Sequence, residues 1–104
     1  MKVQKLAKIL LVTAEYDPLR RKMKRVLEEV AKETEAEFEE RLEDWEFLMK
    51  YGERDEFGGF DLPQVFVISD DGSIKHVLTR VPLSDAGKPL FEKVKKLVVQ
   101  VLKG

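Results

Sequence analysis

The sequence predicts an α/β fold with a mixed four-stranded sheet and three helices, in the order β-α-β-α-β-β-α. Residues Lys8 to Ala14 read KILLVTA, a short apolar run typical of a strand that is buried on both faces. Asp71-Gly72 separates two further apolar or alternating runs, which is a strong signal for a β-hairpin. Apolar residues recur at helical spacing after the first strand and again near residue 100. We expect residues 1–104 to form one domain.

The first helix is predicted to open at Asp17 and Pro18. Aspartate is favoured as a helix cap, and proline at the first helical position gives up an N–H that has no partner there. The apolar stripe that follows consists of Leu19, Met23, Val26, Leu27 and Val30. We expect this helix to end near Glu33.

The segment ETEAEFEERLEDWEFLMKYG, which begins at Glu33, allows two interpretations. Alternation of Ala36 and Phe38 predicts a short strand, whose glutamates would protect an exposed edge from unwanted pairing. The spacing of Phe38, Leu42 and Trp45 also fits one helical stripe, with TEAE as its capping box. We favour the strand, followed by a helix from Asp44 to about Tyr51.

The last part of the chain predicts a loop, a hairpin, a second loop and a helix. GERDEFGGFDLP is a loop by its glycines, charges and proline, and PLSDAGKP is another. The final helix carries the apolar residues Leu90, Phe91, Val94, Leu97, Val98, Val101 and Leu102. A right-handed crossover would make the first two strands parallel, and the hairpin would add an antiparallel pair beside the first strand.

Composition excludes several classes of function. The chain has no cysteine and one histidine, which rules out disulfides, thiol catalysis, thiolate metal sites and a histidine-rich zinc site. We expect neither a cofactor nor a metal.

No apolar run approaches the roughly 18 residues of a membrane span, so we expect a cytoplasmic protein without a membrane partner. Charged residues make up 38% of the chain and asparagine is absent, as in heat-adapted proteins.

Charge is arranged in blocks although the formal net charge is only -1. The stretch from Arg20 to Arg25 is basic, the stretch from Glu28 to Glu56 is mostly acidic, and the final helix is rich in lysine. We expect a solvated surface on which the basic and acidic blocks pair, and the alternative is a basic face that binds an acidic partner. Nucleic acid is an unlikely partner, because the acidic block would repel phosphates and no RNA-reading aromatic motif is present.

Two stretches carry a resemblance to a known superfamily. AEYDPLRRKM (Ala14 to Met23) is similar to the thioredoxin signature Ala-x-Trp-Cys-Gly-Pro-Cys-Lys, aligned without a gap. DLPQVFVISDDG is similar to the segment in which these proteins carry a cis-proline, here Pro63. The chain therefore resembles the thioredoxin and glutaredoxin superfamily, and the resemblance implies a thioredoxin-like three-layer fold. Tyr16 takes the tryptophan position, and Asp17 and Arg20 replace the attacking and resolving cysteines.

The missing cysteines separate the implied fold from the implied activity. Without sulfur at positions 17 and 20, thiol-disulfide exchange does not carry over with the fold. In a redox member, the positive end of the helix stabilises a thiolate. An ionised Asp17 would present a similar anion there, but backbone N–H groups would engage it and leave it a poor base.

A candidate groove follows from the predicted topology. Counting back from Asp71-Gly72 places Pro63 opposite Arg80 to within about one residue. The candidate binding residues are Tyr16, Asp17, Arg20, Leu62, Pro63, Gln64, Thr79 and Arg80.

The leading hypothesis is a redox-inactive module that binds a protein or peptide segment, because the superfamily pairs an extended segment with the backbone beside its cis-proline. Tyr16 and Gln64 would contribute contacts, and Arg20 or Arg80 would hold an acidic group. One alternative is an enzyme or binder for a small anionic substrate, with Asp17 as base or nucleophile. Another is a homodimer through the edge strand near Phe38 or through Trp45.

Overall fold

The computed structural model describes residues 7–104 and has an α/β fold with three helices and a mixed four-stranded sheet. The predicted order of elements is confirmed. The strands are β1 (Lys8–Thr13), β2 (Glu37–Leu42), β3 (Gln64–Ile68) and β4 (Ile74–Thr79). The helices are α1 (Arg20–Thr34), α2 (Trp45–Tyr51) and α3 (Phe91–Lys103).

The sheet has the strand order β2-β1-β3-β4. β1 pairs with β2 in parallel and with β3 in antiparallel orientation, and β3 pairs with β4 in antiparallel orientation. The predicted pairings are therefore confirmed. Parallel pairing of β1 and β2 requires a crossover, and α1 supplies it. β1 lies inside the sheet and is fully buried from Ile9 onward, which explains its unbroken apolar run.

Helices cover both faces of the sheet. Because successive side chains of a strand point to opposite faces, β1 contributes to two separate cores. Ile9 and Leu11 pack with residues of α1 and α3 on one face. Leu10 packs with Phe47 of α2 and with Phe66 on the other face. The rings of Phe47 and Phe66 meet edge to face with centroids 4.9 Å apart.

The ambiguous segment after α1 forms a strand and then a helix, so the preferred prediction is confirmed. Phe38 pairs with Ile9 in the parallel ladder, which a continuous helix would not allow. α2 begins one residue after Asp44, whose carboxylate accepts a hydrogen bond from the Phe47 N–H at 3.1 Å. Burial of Phe47 and Leu48 against the sheet favours this arrangement over a longer exposed helix.

The predicted opening of α1 is wrong in detail. The helix begins at Arg20, with Leu19 at the N-cap position and no side-chain cap. Asp17 lies before the helix, in a turn that is closed by a main-chain hydrogen bond from the Arg20 N–H to the Asp17 carbonyl at 3.1 Å. Pro18 therefore belongs to this turn rather than to the first helical position.

Candidate functional site

The predicted neighbours Pro63 and Arg80 do lie side by side. The Arg80 N–H donates to the Pro63 carbonyl at 2.8 Å, and Thr79 pairs with Gln64 in the ladder. The peptide bond between Leu62 and Pro63 is cis. β1 reaches the same edge of the sheet, because Val12 pairs with Gln64 on the other side of β3. The predicted hairpin register is confirmed.

Two surface clefts meet at this edge and share Asp61. The first is lined by Tyr16, Asp17, Pro18, Phe60, Asp61 and Leu62. The second is lined by Glu53, Arg54, Asp55, Glu56, Phe57, Asp61, Thr79 and Arg80. We call the two clefts together the Leu62 groove. Of the eight predicted residues, Tyr16, Asp17 and Leu62 lie in one cleft, and Thr79 and Arg80 lie in the other.

The Asp17 carboxylate is already engaged by the protein. One oxygen accepts a hydrogen bond from the hydroxyl of the buried Thr13 at 2.8 Å. The other accepts the Leu19 N–H at 2.9 Å. Asp17 therefore stabilises the turn between β1 and α1, and it does not present a free carboxylate at the helix N-terminus. A role as base or nucleophile would require breaking these bonds.

Arg20 lines neither cleft and is not a free cation, so of the two arginines predicted to hold an acidic group only Arg80 remains available. Its guanidinium binds Glu40 on β2 through two hydrogen bonds of 3.0 Å each. The bond to Glu40 raises the pKa of Arg20 above its ordinary value. This ion pair joins one of the five cations of the basic block to the acidic middle of the chain, in the manner expected. It also removes one of the two arginines assigned to an anionic substrate.

The Gln64 side chain points into the protein, so its predicted contact with a ligand is wrong. It is fully buried, and its amide bonds three main-chain groups. Its Nε2 donates to the carbonyls of Glu53 and Asp61, at 2.9 and 3.1 Å. Its Oε1 accepts the Glu53 N–H at 2.9 Å. Gln64 therefore fastens both ends of the loop that forms one wall of the groove.

That loop, residues 53–61, is internally ordered and was missed as part of the site. Asp55 accepts the N–H groups of Phe57 and Gly59, each at 2.8 Å. The Arg54 guanidinium lies 4.9 Å from the centre of the Phe60 ring and donates to the Gly58 carbonyl at 2.9 Å. Gly58 has φ of +84°, which glycine adopts without strain. The FGGF sequence was the available signal, because a phenylalanine in a polar loop, such as the 89% exposed Phe57, needs a reason.

The main chain of Leu62, which lines one of the two clefts, is unpaired among the residues that the structure describes. Within residues 7–104, neither its N–H nor its C=O has a hydrogen-bond partner. Its side chain is half-buried and packs at the margin of the core beneath α2. Tyr16, in the same cleft, leaves 72% of its surface exposed. An open main-chain pair beside an exposed aromatic ring is a suitable docking place for an extended chain.

Arg80 is the cation of the groove nearest to Pro63. Its Nε lies 3.8 Å from a carboxylate oxygen of Asp61, and both side chains are largely exposed. Its φ of +61° is in the left-handed region, which a non-glycine residue rarely adopts, and it marks the end of β4. Arg80 thus remains accessible to a ligand.

Comparison with known proteins adds no identification, because no protein-family model, curated protein or solved structure matches this chain. In the described part of the chain, no helix is long and apolar enough to cross a membrane. Nor do any three histidine, aspartate or glutamate side chains of residues 7–104 come together as metal ligands would.

Proposed function

We propose that this chain is a redox-inactive, thioredoxin-like domain that binds an extended protein segment in the Leu62 groove. The open N–H and C=O of Leu62 carry the proposal. They offer a bound segment the two main-chain hydrogen bonds of a strand pair, and Tyr16 offers a side-chain contact.

The topology supports the thioredoxin-like assignment. A sheet ordered β2-β1-β3-β4, with β1 and β2 parallel and a hairpin on the other side of β1, agrees with what the resemblance implies. Helices on both faces agree with a three-layer arrangement. The absence of cysteine excludes thiol exchange, so binding is the part of the superfamily's behaviour that this chain can retain.

The geometry favours a binder over an enzyme. Both oxygens of Asp17 accept hydrogen bonds, and Arg20 is paired with Glu40. The carboxylate that a base would need is thus occupied, and of the two arginines assigned to an anionic substrate only Arg80 remains accessible. The Leu62 main chain has no such competitor among residues 7–104.

Photo-crosslinking from the groove tests the proposal. A benzoylphenylalanine at position 16 should crosslink to one defined segment of a partner protein in a native lysate, because that ring is exposed inside the groove. The matched control is the same residue at position 83, where Leu83 is also exposed but lies outside the groove. A synthetic peptide of the crosslinked segment should then shift the amide signal of Leu62 in NMR spectra. Identical crosslinks from both positions, or a peptide that leaves Leu62 unshifted, would contradict the proposal.

A further inference from the structure

Carboxylates dominate the rim of the Leu62 groove. Five line its two clefts, against two guanidiniums. The carboxylates belong to Asp17, Glu53, Asp55, Glu56 and Asp61, and the guanidiniums to Arg54 and Arg80. Such an excess gives the groove a negative potential that a bound chain must match.

The two arginines offset only part of that charge, because five carboxylates less two guanidiniums leave a formal excess of three negative charges. Arg54 is held within its own loop by the Phe60 ring and the Gly58 carbonyl. Arg80 approaches Asp61 only at 3.8 Å. The side chains of Glu53 and Glu56 form no hydrogen bond or ion pair with residues 7–104, and both residues are exposed. The rim therefore retains free negative charge.

Exposed aromatic rings provide a second and independent indication. Tyr16 is 72% exposed in one cleft, and Phe57 is 89% exposed in the other. Within the described residues, no cation lies over either ring. A lysine or arginine of a bound chain could occupy such a ring face, because a cation is attracted to the negative face of an aromatic ring.

From these observations we infer that the segment bound in the groove is basic, with lysine or arginine on both sides of an apolar residue. The apolar residue would lie against Leu62 and Phe60, and the flanking cations would meet the carboxylates and the two exposed rings. The inference rests on the proposed function, and it reverses the prediction that Arg20 or Arg80 would hold an acidic group.

The test is an NMR titration of the labelled chain with three pools of degenerate ten-residue peptides. Each pool has a central Leu-Phe-Leu, flanked by lysine and serine, by glutamate and serine, or by serine alone. We expect the lysine pool to bind at least about tenfold more tightly than the glutamate pool, with the serine pool between them. The affinity of the lysine pool should fall as NaCl rises from about 50 mM to about 500 mM.

Matched variants assign the preference to the groove. The double variant Glu53→Gln with Glu56→Gln should lose most of the preference for lysine. Glu28→Gln with Glu37→Gln, which changes two exposed carboxylates outside the groove, should keep it. Equal affinity for the three pools, with shifts at Leu62, would overturn the basic partner and leave the groove as a binding site. Preference for glutamate would also overturn the inference, and no shift at Leu62 with any pool would overturn both proposals.

Discussion

The edge strand β2 and the loop of residues 53–61 are both acidic, but they differ in whether their glutamates are paired with cations. On β2, Glu39 accepts hydrogen bonds from Lys8 at 2.9 Å and from Arg41 at 2.7 Å. Glu40 is bound by Arg20. In the loop, Glu53 and Glu56 have no such cation among the described residues.

The difference follows from how each region is held in place. β2 is an edge strand, and its ion pairs join it to β1, to α1 and to the residue that caps α2. Hydrogen bonds from Arg41, and then from Lys8, lower the pKa of Glu39. The loop is held by the neutral Gln64 amide and by turns around Asp55. Within residues 7–104, neither Glu53 nor Glu56 uses its carboxylate to hold the loop, so both carboxylates remain available for a ligand.

Among the variants that test this difference, Gln64→Met should lower the free energy of unfolding the most. The variant keeps the side-chain length but leaves the main-chain groups of Glu53 and Asp61 without their partner. We expect unfolding free energy to fall by about 2–4 kcal/mol, since buried groups that lose a hydrogen bond cost about 1–3 kcal/mol each. Urea denaturation measures the loss, and faster hydrogen exchange at Glu53 would locate it.

Gln100→Met is the matched control, because Gln100 is exposed on α3. Its stability should stay within about 0.5 kcal/mol of the parent chain. If the two variants were equally stable, the loop would be held by something other than the Gln64 amide.

Asp17→Ala should give the next largest effect, because Asp17 is a carboxylate of the groove that accepts hydrogen bonds from a buried hydroxyl and from the main chain. The variant leaves the buried Thr13 hydroxyl and the Leu19 N–H without an acceptor, at an expected cost of about 1–2 kcal/mol. Asp17→Asn keeps one acceptor oxygen for the Leu19 N–H, and its NH2 can donate to the Thr13 hydroxyl, so it should lose less than half as much. Thermal unfolding of the two variants measures this. An Asn variant as unstable as Ala would show that the negative charge, rather than the hydrogen bonds, stabilises the turn.

Most of the fold could be predicted because its signals are local. The apolar run of β1, the Asp71-Gly72 turn and the stripes of α1 and α3 each depend on neighbours in sequence. The choice between strand and helix at Phe38 was harder, because both periods fit the same residues. Pairing of Phe38 with Ile9 on β1, a contact distant in sequence, decides it.

The site was less predictable because its roles depend on distant partners. Arg20 meets Glu40 across twenty positions of sequence, and no local pattern indicates that pairing. Gln64 begins a strand, where a polar side chain could equally face solvent or the loop that it binds. The hairpin register, in contrast, counts from a nearby turn, and it correctly brought Pro63 to Arg80.

Arg20→Gln tests the contribution of charge pairing on β2, because it removes the ion pair between Arg20 and Glu40. We expect a smaller destabilisation than for Asp17→Ala, because the pair is partly exposed and screened. The loss should be largest at low salt and shrink as NaCl is added, and urea denaturation at two salt concentrations measures it. Lys96→Gln, an exposed cation of α3, is the control. A loss that does not change with salt would mean that Arg20 acts through packing instead.

His76 gives the smallest effect and reports on the free charge of the loop. Burial lowers the pKa of His76, and the negative charge of Glu53 opposes part of that shift. Because the folded pKa lies below the unfolded value of about 6.5, the unfolded chain binds the proton more readily, so stability should decline as pH falls through that region. His76→Gln should lose this dependence.

In Glu53→Gln, the pKa of His76 measured by NMR should fall further, because the opposing charge is gone, whereas Glu37→Gln should leave it unchanged. If the pKa of His76 were the same in Glu53→Gln as in the parent chain, the charge of Glu53 would be neutralised by another group. The contrast between the loop and β2 would then disappear.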